Sequence, residues 1–203
     1  MRKEIVIFDF DGVIVNSLEL GYSINKEMMP DLKYEEWAGW FEGNLYKNIR
    51  KEHANDKSQN DFHQQYSARV NNCLLVEGIT ETIKELSRRF DLIIISSSTS
   101  IGIRNFLEKH NLISYFKEIL GADIHRSKIE KFKMVLLKYN IKPEETLIIT
   151  DSVGDIKEAK NVGVKTVAVT WGIHDIKKLK NEEPDSIVKR PSEVVGSVFK
   201  VLS

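Results

Sequence analysis

Two aspartates close an apolar run near the start of the chain: "IVIFDFDGV", Ile5–Val13, places Asp9 and Asp11 directly after residues that belong in a core. Aspartate ordinarily stays in water, so an apolar strand that runs into two of them calls for a reason. Two other strand-like runs also end in polar groups. Leu92–Ser96 leads into Ser97, Ser98 and Thr99, and Thr146–Thr150 leads into Asp151 and Ser152, with Asp155 four residues beyond Asp151. In an open parallel sheet, ligands bind beyond the carboxyl ends of the strands. If these three strands are neighbours, four carboxylates and a hydroxyl-rich turn meet at one spot. Four acids repel one another unless a cation lies among them, and oxygen donors with no nearby His or Cys suit Mg²⁺. Phosphate is the common companion of bound Mg²⁺, and main-chain N–H groups at a Ser/Thr-rich strand-to-helix turn hold phosphate oxygens. Gly12 allows the chain to turn sharply beside Asp11.

Each signal alone has a plainer reading. A D-x-D at a strand end is most often a turn or a helix cap, Ser96–Ser100 a cap for the next helix, and Asp155 a first-turn acid favoured by the helix dipole. The order and spacing of all three strand ends carry the chemical reading.

The elements that would position these groups follow from hydrophobic pattern. Glu4–Phe10, Leu92–Ser96, Thr146–Thr150 and Lys165–Val169 are short β-branched runs of the kind buried in parallel sheets, with shorter candidates at Glu118–Leu120 and Ser186–Val188. Helical stripes lie between them: Ile79, Ile83 and Leu86; Ile103, Phe106 and Leu107; Phe132, Val135, Leu136 and Tyr139, with Asn140 as a stop. Alternating strands and helices imply an α/β fold, a Rossmann-like open parallel sheet with right-handed crossovers. The tail from Val188 to Phe199 reads as a strand end and a helix.

Residues 16–75 break this alternation with helix after helix and hold eight of the eighteen aromatic residues. Trp37, Trp40 and Phe41 share one stripe, and Phe62, Tyr66, Val70 and Cys73 another, with Ser58 as a candidate N-cap and Asn55–Asn60 as a polar loop. The expected organisation is an α/β core of residues 1–15 and 76–203, interrupted by a small α-helical domain of residues 16–75.

Composition bounds the function. The 203 residues suffice for one core with a small insert, and 41% hydrophobic with 30% charged residues is ordinary for a soluble globular chain. Thirty Lys and Arg balance thirty Asp and Glu, which argues against nucleic acid as the main partner. The single cysteine, Cys73, permits no internal disulfide and suits a reduced cytoplasm. The apolar run after "MRKE" is too short for a signal h-region and ends in acids, and no run approaches membrane-span length, so no membrane partner is expected. His174, after a strand end, could approach the site rim, although a lone surface His is more often just solvated, and composition leaves the oligomeric state, monomer or homodimer, open.

With these residues in place, the chain resembles the haloacid dehalogenase (HAD) superfamily, in its phosphoglycolate phosphatase and β-phosphoglucomutase-like subgroup with a helical cap between the first and second motifs. Ile5–Gly12 matches the first motif, an apolar strand followed by D-x-D-G; Leu92–Ser96 matches the second, and Leu147–Asp155 the fourth. Pro143–Gly172 is similar to phosphoglycolate-phosphatase-like members almost throughout. Three positions depart from the pattern: Thr150 stands where Gly usually precedes the fourth-motif Asp, Ser97 stands where Asn often follows the second-motif residue, and no Pro follows the third-motif lysine. Lys128 and Lys131 in "RSKIEKF" both remain candidates for that lysine, the spacing back from Ile141 favouring Lys128.

The resemblance implies a HAD-like core and a Mg²⁺-dependent phosphatase acting on a small phosphorylated metabolite. Asp9 would be the nucleophile that forms an aspartyl-phosphate, and Asp11 the acid and base. Ser96, Ser97 and the lysine would hold the phosphoryl group, and Asp9, Asp11, Asp151 and Asp155 would hold Mg²⁺. Asp11 favours phosphoryl transfer over dehalogenation, which needs no proton donor. Residues 16–75 would form the cap, hinged at Asn16–Ser17 and Leu75–Gly78. "WFEGN", Trp40–Asn44, could present Gly43 and Asn44 to substrate, with Lys47 and Arg50 one and two turns on, while the Trp and Phe side chains more plainly form the cap's own core. The alternatives are a phosphosugar mutase of the β-phosphoglucomutase type, which would use the same aspartates, and a non-catalytic HAD-fold binding protein.

Overall fold

The structure is a computed structural model that describes residues 4–203. Six strands, Ile5–Phe8 (β1), Asp91–Ile95 (β2), Phe116–Leu120 (β3), Thr146–Thr150 (β4), Lys165–Val169 (β5) and Ser186–Val188 (β6), form one sheet in the order β3-β2-β1-β4-β5-β6. Every pairing is parallel. Four helices follow β1: Leu18–Met28 (α1), Tyr34–Gly39 (α2), Leu45–Asn48 (α3) and Asp56–Arg69 (α4). Ile79–Ser87 (α5) leads into β2, and Ser100–Lys109 (α6), Lys128–Lys138 (α7), Val153–Asn161 (α8), Ile176–Asn181 (α9) and Pro191–Leu202 (α10) connect or follow the remaining strands.

The strands are apolar along their length because both faces are covered. On one face Val6, Phe8, Leu92, Ile94, Leu147 and Ile149 pack with Ile83 and Leu86 of α5, Phe106 of α6 and Val194 of α10. On the other, Ile5, Ile7, Ile93, Ile95 and Ile148 pack with Phe132 and Val135 of α7 and Ala159 of α8. Phe8 pairs with Ile94 on one side and Ile149 on the other, so β1, β2 and β4 finish level. Asp9, Ser96 and Asp151 therefore emerge at one edge of the sheet. The strand order reverses direction about β1 and β4, which opens the crevice where doubly wound folds bind ligands.

β1 is shorter than its apolar run, ending at Phe8, but the Asp9 N–H still donates to the Ile149 carbonyl at 2.9 Å, so the first aspartate is held by the sheet's own hydrogen bonding. β3 begins at Phe116, earlier than its pattern indicates, because Phe116 pairs with Leu92 across a register shift. The stretch 55–60 is not a loop. Asn55, rather than Ser58, caps α4, its side-chain oxygen accepting from the Ser58 N–H at 3.0 Å. The polarity of that stretch reflects an exposed first turn rather than irregular backbone.

The helical segment after β1 has an apolar cluster of its own, Met29, Leu32, Trp37, Ala38, Trp40 and Ile49, which Ile173 joins from the loop after β5. Tyr66 and Val70 of the α4 end pack instead into the main cluster with Phe10, Ile14 and Phe106. The helical stripe Phe62–Tyr66–Val70 thus faces the sheet's edge, above the site.

Burial at the sheet centre sets a stability contrast. Ile7→Ala, at a fully buried position, is expected to cost about 2–5 kcal/mol in urea unfolding, whereas Leu137→Ala, at 84% exposure, stays within about 0.5 kcal/mol. Equal costs would contradict the two-faced packing of β1.

Candidate active site

A buried lysine organises the carboxylates. The Lys128 ammonium lies 2.9 Å from Asp9 Oδ2 and 2.7 Å from Asp155 Oδ2, with all three side chains at least nine-tenths buried. Asp9 Oδ1 accepts from the Phe10 N–H at 2.7 Å. Thr150 Oγ1 donates to Asp155 Oδ2 at 2.6 Å, so the threonine standing before Asp151 helps fix the second acid of that motif. Asp151 Oδ2 accepts from the Ile173 N–H at 2.7 Å. Its carboxylate occupies space that two glycines leave open: a Cβ on Gly12, at φ +71°, or on Gly172 would lie 2.1 Å from Asp151 Oδ2.

Three buried carboxylates share one ammonium, and their protonation reflects it. Burial drives Asp9 well above the ordinary carboxylate range, with Lys128 opposing and Asp155 and Asp151 reinforcing the rise. Burial likewise pushes Asp151 up to about 7, against the pull of the Ile173 N–H. Asp155 moves the other way: burial raises it, but Lys128 and the hydrogen bonds it accepts hold it low. Burial would lower Lys128, but Asp155 and Asp9 carry it above the usual lysine value.

Asp11 sits in a different setting. Ser17 Oγ, at 2.7 Å, and the Tyr66 hydroxyl donate to its Oδ1. Ser98 Oγ at 2.7 Å and Ser96 Oγ at 3.4 Å donate to Oδ2. Burial and the Asp11 charge keep the Tyr66 phenol protonated, its pKa well above the usual tyrosine value. Ser96 Oγ also accepts from the Ser98 N–H at 3.0 Å, which shapes the turn after β2.

Asp9, Asp11, Ser97, Ser98, Lys128, Asp151 and Asp155 line one cavity of ≈ 90 Å³, and Gly43, Asn44, Tyr46, His63 and Tyr66 of the helical segment close it from above. Lys131 is not on that lining. One helical turn from Lys128 it points under the β2 turn, donating to the Ser96 carbonyl at 2.6 Å, and burial with the Lys128 charge lowers its pKa to about 8. Its place is beneath the turn that would hold phosphate, so it is corrected from a phosphate contact to a support of that turn. Asn44 reaches the rim but donates to Glu158 Oε1 of α8 at 3.1 Å. The Gly43 carbonyl comes so close to α8 that a Cβ on Gly154 would sit 2.4 Å from it. Arg50 turns away to Asp31 and Glu36, and Lys47 lines a separate outer groove.

His174 is buried, contrary to its solvated reading. Its Nδ1 accepts from the Val153 N–H at 3.1 Å at the first residue of α8, and the His174 main-chain N–H donates to the Asp151 carbonyl at 3.3 Å. Burial lowers its pKa, which keeps the ring neutral and Nδ1 free to accept. Ser98, Tyr66, Thr150 and Glu158 also join the site, although the sequence assigns them no role; the hydroxyl run after β2 points to Ser98, the departure from the fourth motif points to Thr150, and Tyr66 and Glu158 have no such signal.

The donor set fits Mg²⁺. Among the described residues, no three His, Cys, Asp or Glu side chains close into a finished cage. Mg²⁺ seldom uses one; it keeps several waters and takes one or two carboxylates plus substrate phosphate. Here burial raises both Asp9 and Asp151 toward the protonated form although Lys128 pairs with Asp9, a shortfall of positive charge that a cation would meet, and the donors are all oxygen.

A doubly wound parallel sheet with a nucleophile-capable aspartate held by a lysine at its switch point belongs to the α/β enzymes. Residues 6–169 match the haloacid dehalogenase-like hydrolases, and the chain belongs to that family. It is similar to a phosphoglycolate phosphatase of Synechococcus elongatus, at 27% identity over 97% of this chain and 98% of that one. It is also similar to pyrophosphatase PpaX of Listeria monocytogenes, at 26% identity over 95% of each. A solved haloacid dehalogenase-like hydrolase from Streptococcus pneumoniae has the same fold, with TM-score 0.81 at 21% identity over 97% of this chain and 98% of that chain.

Removing the shared ammonium exposes the charge problem. Lys128→Met is expected to lower stability at neutral pH by about 3–5 kcal/mol, read as a lower denaturant midpoint, because Asp9 and Asp155 are left buried without a counter-charge. An unchanged midpoint would contradict the central role given to this ion pair.

Proposed function

We propose that this chain is a Mg²⁺-dependent phosphatase that hydrolyses the phosphate monoester of a small metabolite through an aspartyl-phosphate intermediate. The observation that carries the reading is the division between Asp9 and Asp11: two residues apart on one turn, both lining one cavity, one against Lys128 and the other ringed by hydroxyls. Asp9 is the nucleophile. A bond forms between its carboxylate oxygen and phosphorus as the bond from phosphorus to the leaving oxygen breaks. Asp11 gives the leaving oxygen its proton, then takes one from the water that hydrolyses the aspartyl-phosphate. Ser96, the Ser97 main chain and Lys128 hold the phosphoryl oxygens, where positioning and charge neutralisation do most of the catalytic work.

Asp9, Asp151, the Asp11 main-chain carbonyl and Asp155, directly or through water, would hold Mg²⁺. The ion, when bound, offsets the negative charge that phosphate and aspartate bring together. Residues 16–75 act as a cap over the core of residues 1–15 and 76–203, excluding water and meeting the leaving group through Gly43 and Asn44. The small cavity, and the names of relatives that act on phosphoglycolate and pyrophosphate, support a small substrate. The lone cysteine and balanced charge support a cytoplasmic setting without nucleic acid, and among the described residues no helix is long and apolar enough to cross a membrane.

The test is a panel of small phosphate monoesters assayed with and without Mg²⁺, for the natural chain and Asp9→Asn. Expected are Mg²⁺-dependent phosphate release and a loss of about 10³-fold or more in Asp9→Asn with the fold intact. Substantial activity in Asp9→Asn would refute the nucleophile, and no release from any ester would favour a binding role.

A further inference from the structure

Tyr66 is placed in α4, among residues whose spacing marks them as packing. Its ring does pack: it stacks on Phe62 with centroids 5.8 Å apart and is 3% exposed. A buried tyrosine hydroxyl normally finds a partner, and this one donates to Asp11 Oδ1, fifty-five residues away in sequence. A hydrogen bond to a carboxylate is stronger than one to a neutral acceptor. The next residue repeats the pattern on the second loop. Ser67 Oγ lies 3.0 Å from Thr99 Oγ1, the N-cap of α6, and close to the bare Cα of Gly102, where a Cβ would sit 2.9 Å from that oxygen. Consecutive residues of α4 thus engage the turn after β1 and the turn after β2.

Resting on the phosphatase reading above, we infer that Tyr66 is a positioning residue for the acid–base step: its hydroxyl, with Ser17 and Ser98, fixes the rotamer of Asp11 so that the carboxyl faces the leaving oxygen. Ser98 comes from the turn after β2 and Ser17 from the N-cap of α1, at the hinge where the helical segment begins, but Tyr66 comes from α4, well inside that segment. Asp11 is therefore fully held only while α4 is seated on both turns, and leaving-group protonation becomes conditional on that seating. The ester oxygen that leaves receives its proton from a group the overlying helix has oriented.

The inference is tested by leaving-group dependence, which a purely structural role does not alter. The value of kcat/KM reports steps through formation of the aspartyl-phosphate, where an alkyl phosphate needs the proton and p-nitrophenyl phosphate, with its stable leaving anion, needs it little. Tyr66→Phe, which removes only the hydroxyl, is expected to lower kcat/KM for the alkyl ester about 10-fold or more, and that for p-nitrophenyl phosphate far less. Asp11→Asn should show the same signature, and Tyr66→Phe should add little to it in the double variant. Equal losses on both esters, no loss on either, or full additivity with Asp11→Asn would overturn the inference. Thermal melts of each variant show whether the fold is kept; if Tyr66→Phe unfolds, Ser67→Ala, which loosens the same seating at Thr99, takes its place with the same expected signature. If Asp11→Asn itself shows no leaving-group dependence, the reading of Asp11 fails; if it does and Tyr66→Phe does not, only the role of Tyr66 falls.

Discussion

The site depends on one buried ammonium. Lys128 is the first residue of α7, where the helix dipole is least hospitable to a positive charge, and Ser127 caps that end by accepting from the Glu130 N–H. Its position is instead set by Asp9 and Asp155, which it bridges from opposite loops. Taking charges out of water costs several kcal/mol for each, and their attraction offsets this only when geometry is close and remaining lone pairs are satisfied. Phe10, Thr150 and Ile173 supply those further bonds. Even so, the balance is short by positive charge: Asp9 and Asp151 are both pushed toward the protonated form. The proposed Mg²⁺ would supply the positive charge that this balance lacks.

The rest of the fold keeps those charges close. Level strand ends bring Asp9, Ser96 and Asp151 to one edge. Gly12 and Gly172 leave the room that the Asp151 carboxylate fills, and any side chain at either position would displace it. His174 ties the loop after β5 to the start of α8, the helix that carries Asp155. Lys131 braces the β2 turn from below through the Ser96 carbonyl. From above, the helical segment touches α8 through Asn44 and Gly43 and touches Asp11 through Tyr66.

Much of this could be read from the chain because parallel strands buried on both faces leave unbroken apolar runs, and the polar residues that end them stand out. The α/β fold and the family followed from β1, β2 and β4 together with their terminal aspartates and serines. Helical stripes located α5, α6 and α7. What stayed hidden depended on contacts between distant segments. Tyr66 has the spacing of a packing residue and does pack; its hydroxyl acquires a partner only when α4 lies over the first turn. His174 looks like any lone histidine until the loop after β5 folds beneath α8. Lys128 and Lys131 sit one turn apart on α7, and only the folded chain shows that one reaches the carboxylates and the other the Ser96 carbonyl under the turn. The start of α4 was obscured because an exposed first turn and a polar loop share a composition.

The central claim is that Asp9 attacks phosphorus while Lys128 and Asp155 hold it in place. It is tested most directly by acid-quenching the protein during turnover of a phosphate monoester labelled with ¹⁸O in its phosphoryl oxygens and mapping the label by mass spectrometry. The expected result is an acid-stable, base-labile phosphoryl group on the peptide that carries Asp9, absent in Asp9→Asn. Turnover that leaves that peptide unlabelled, or that labels another residue, would contradict it.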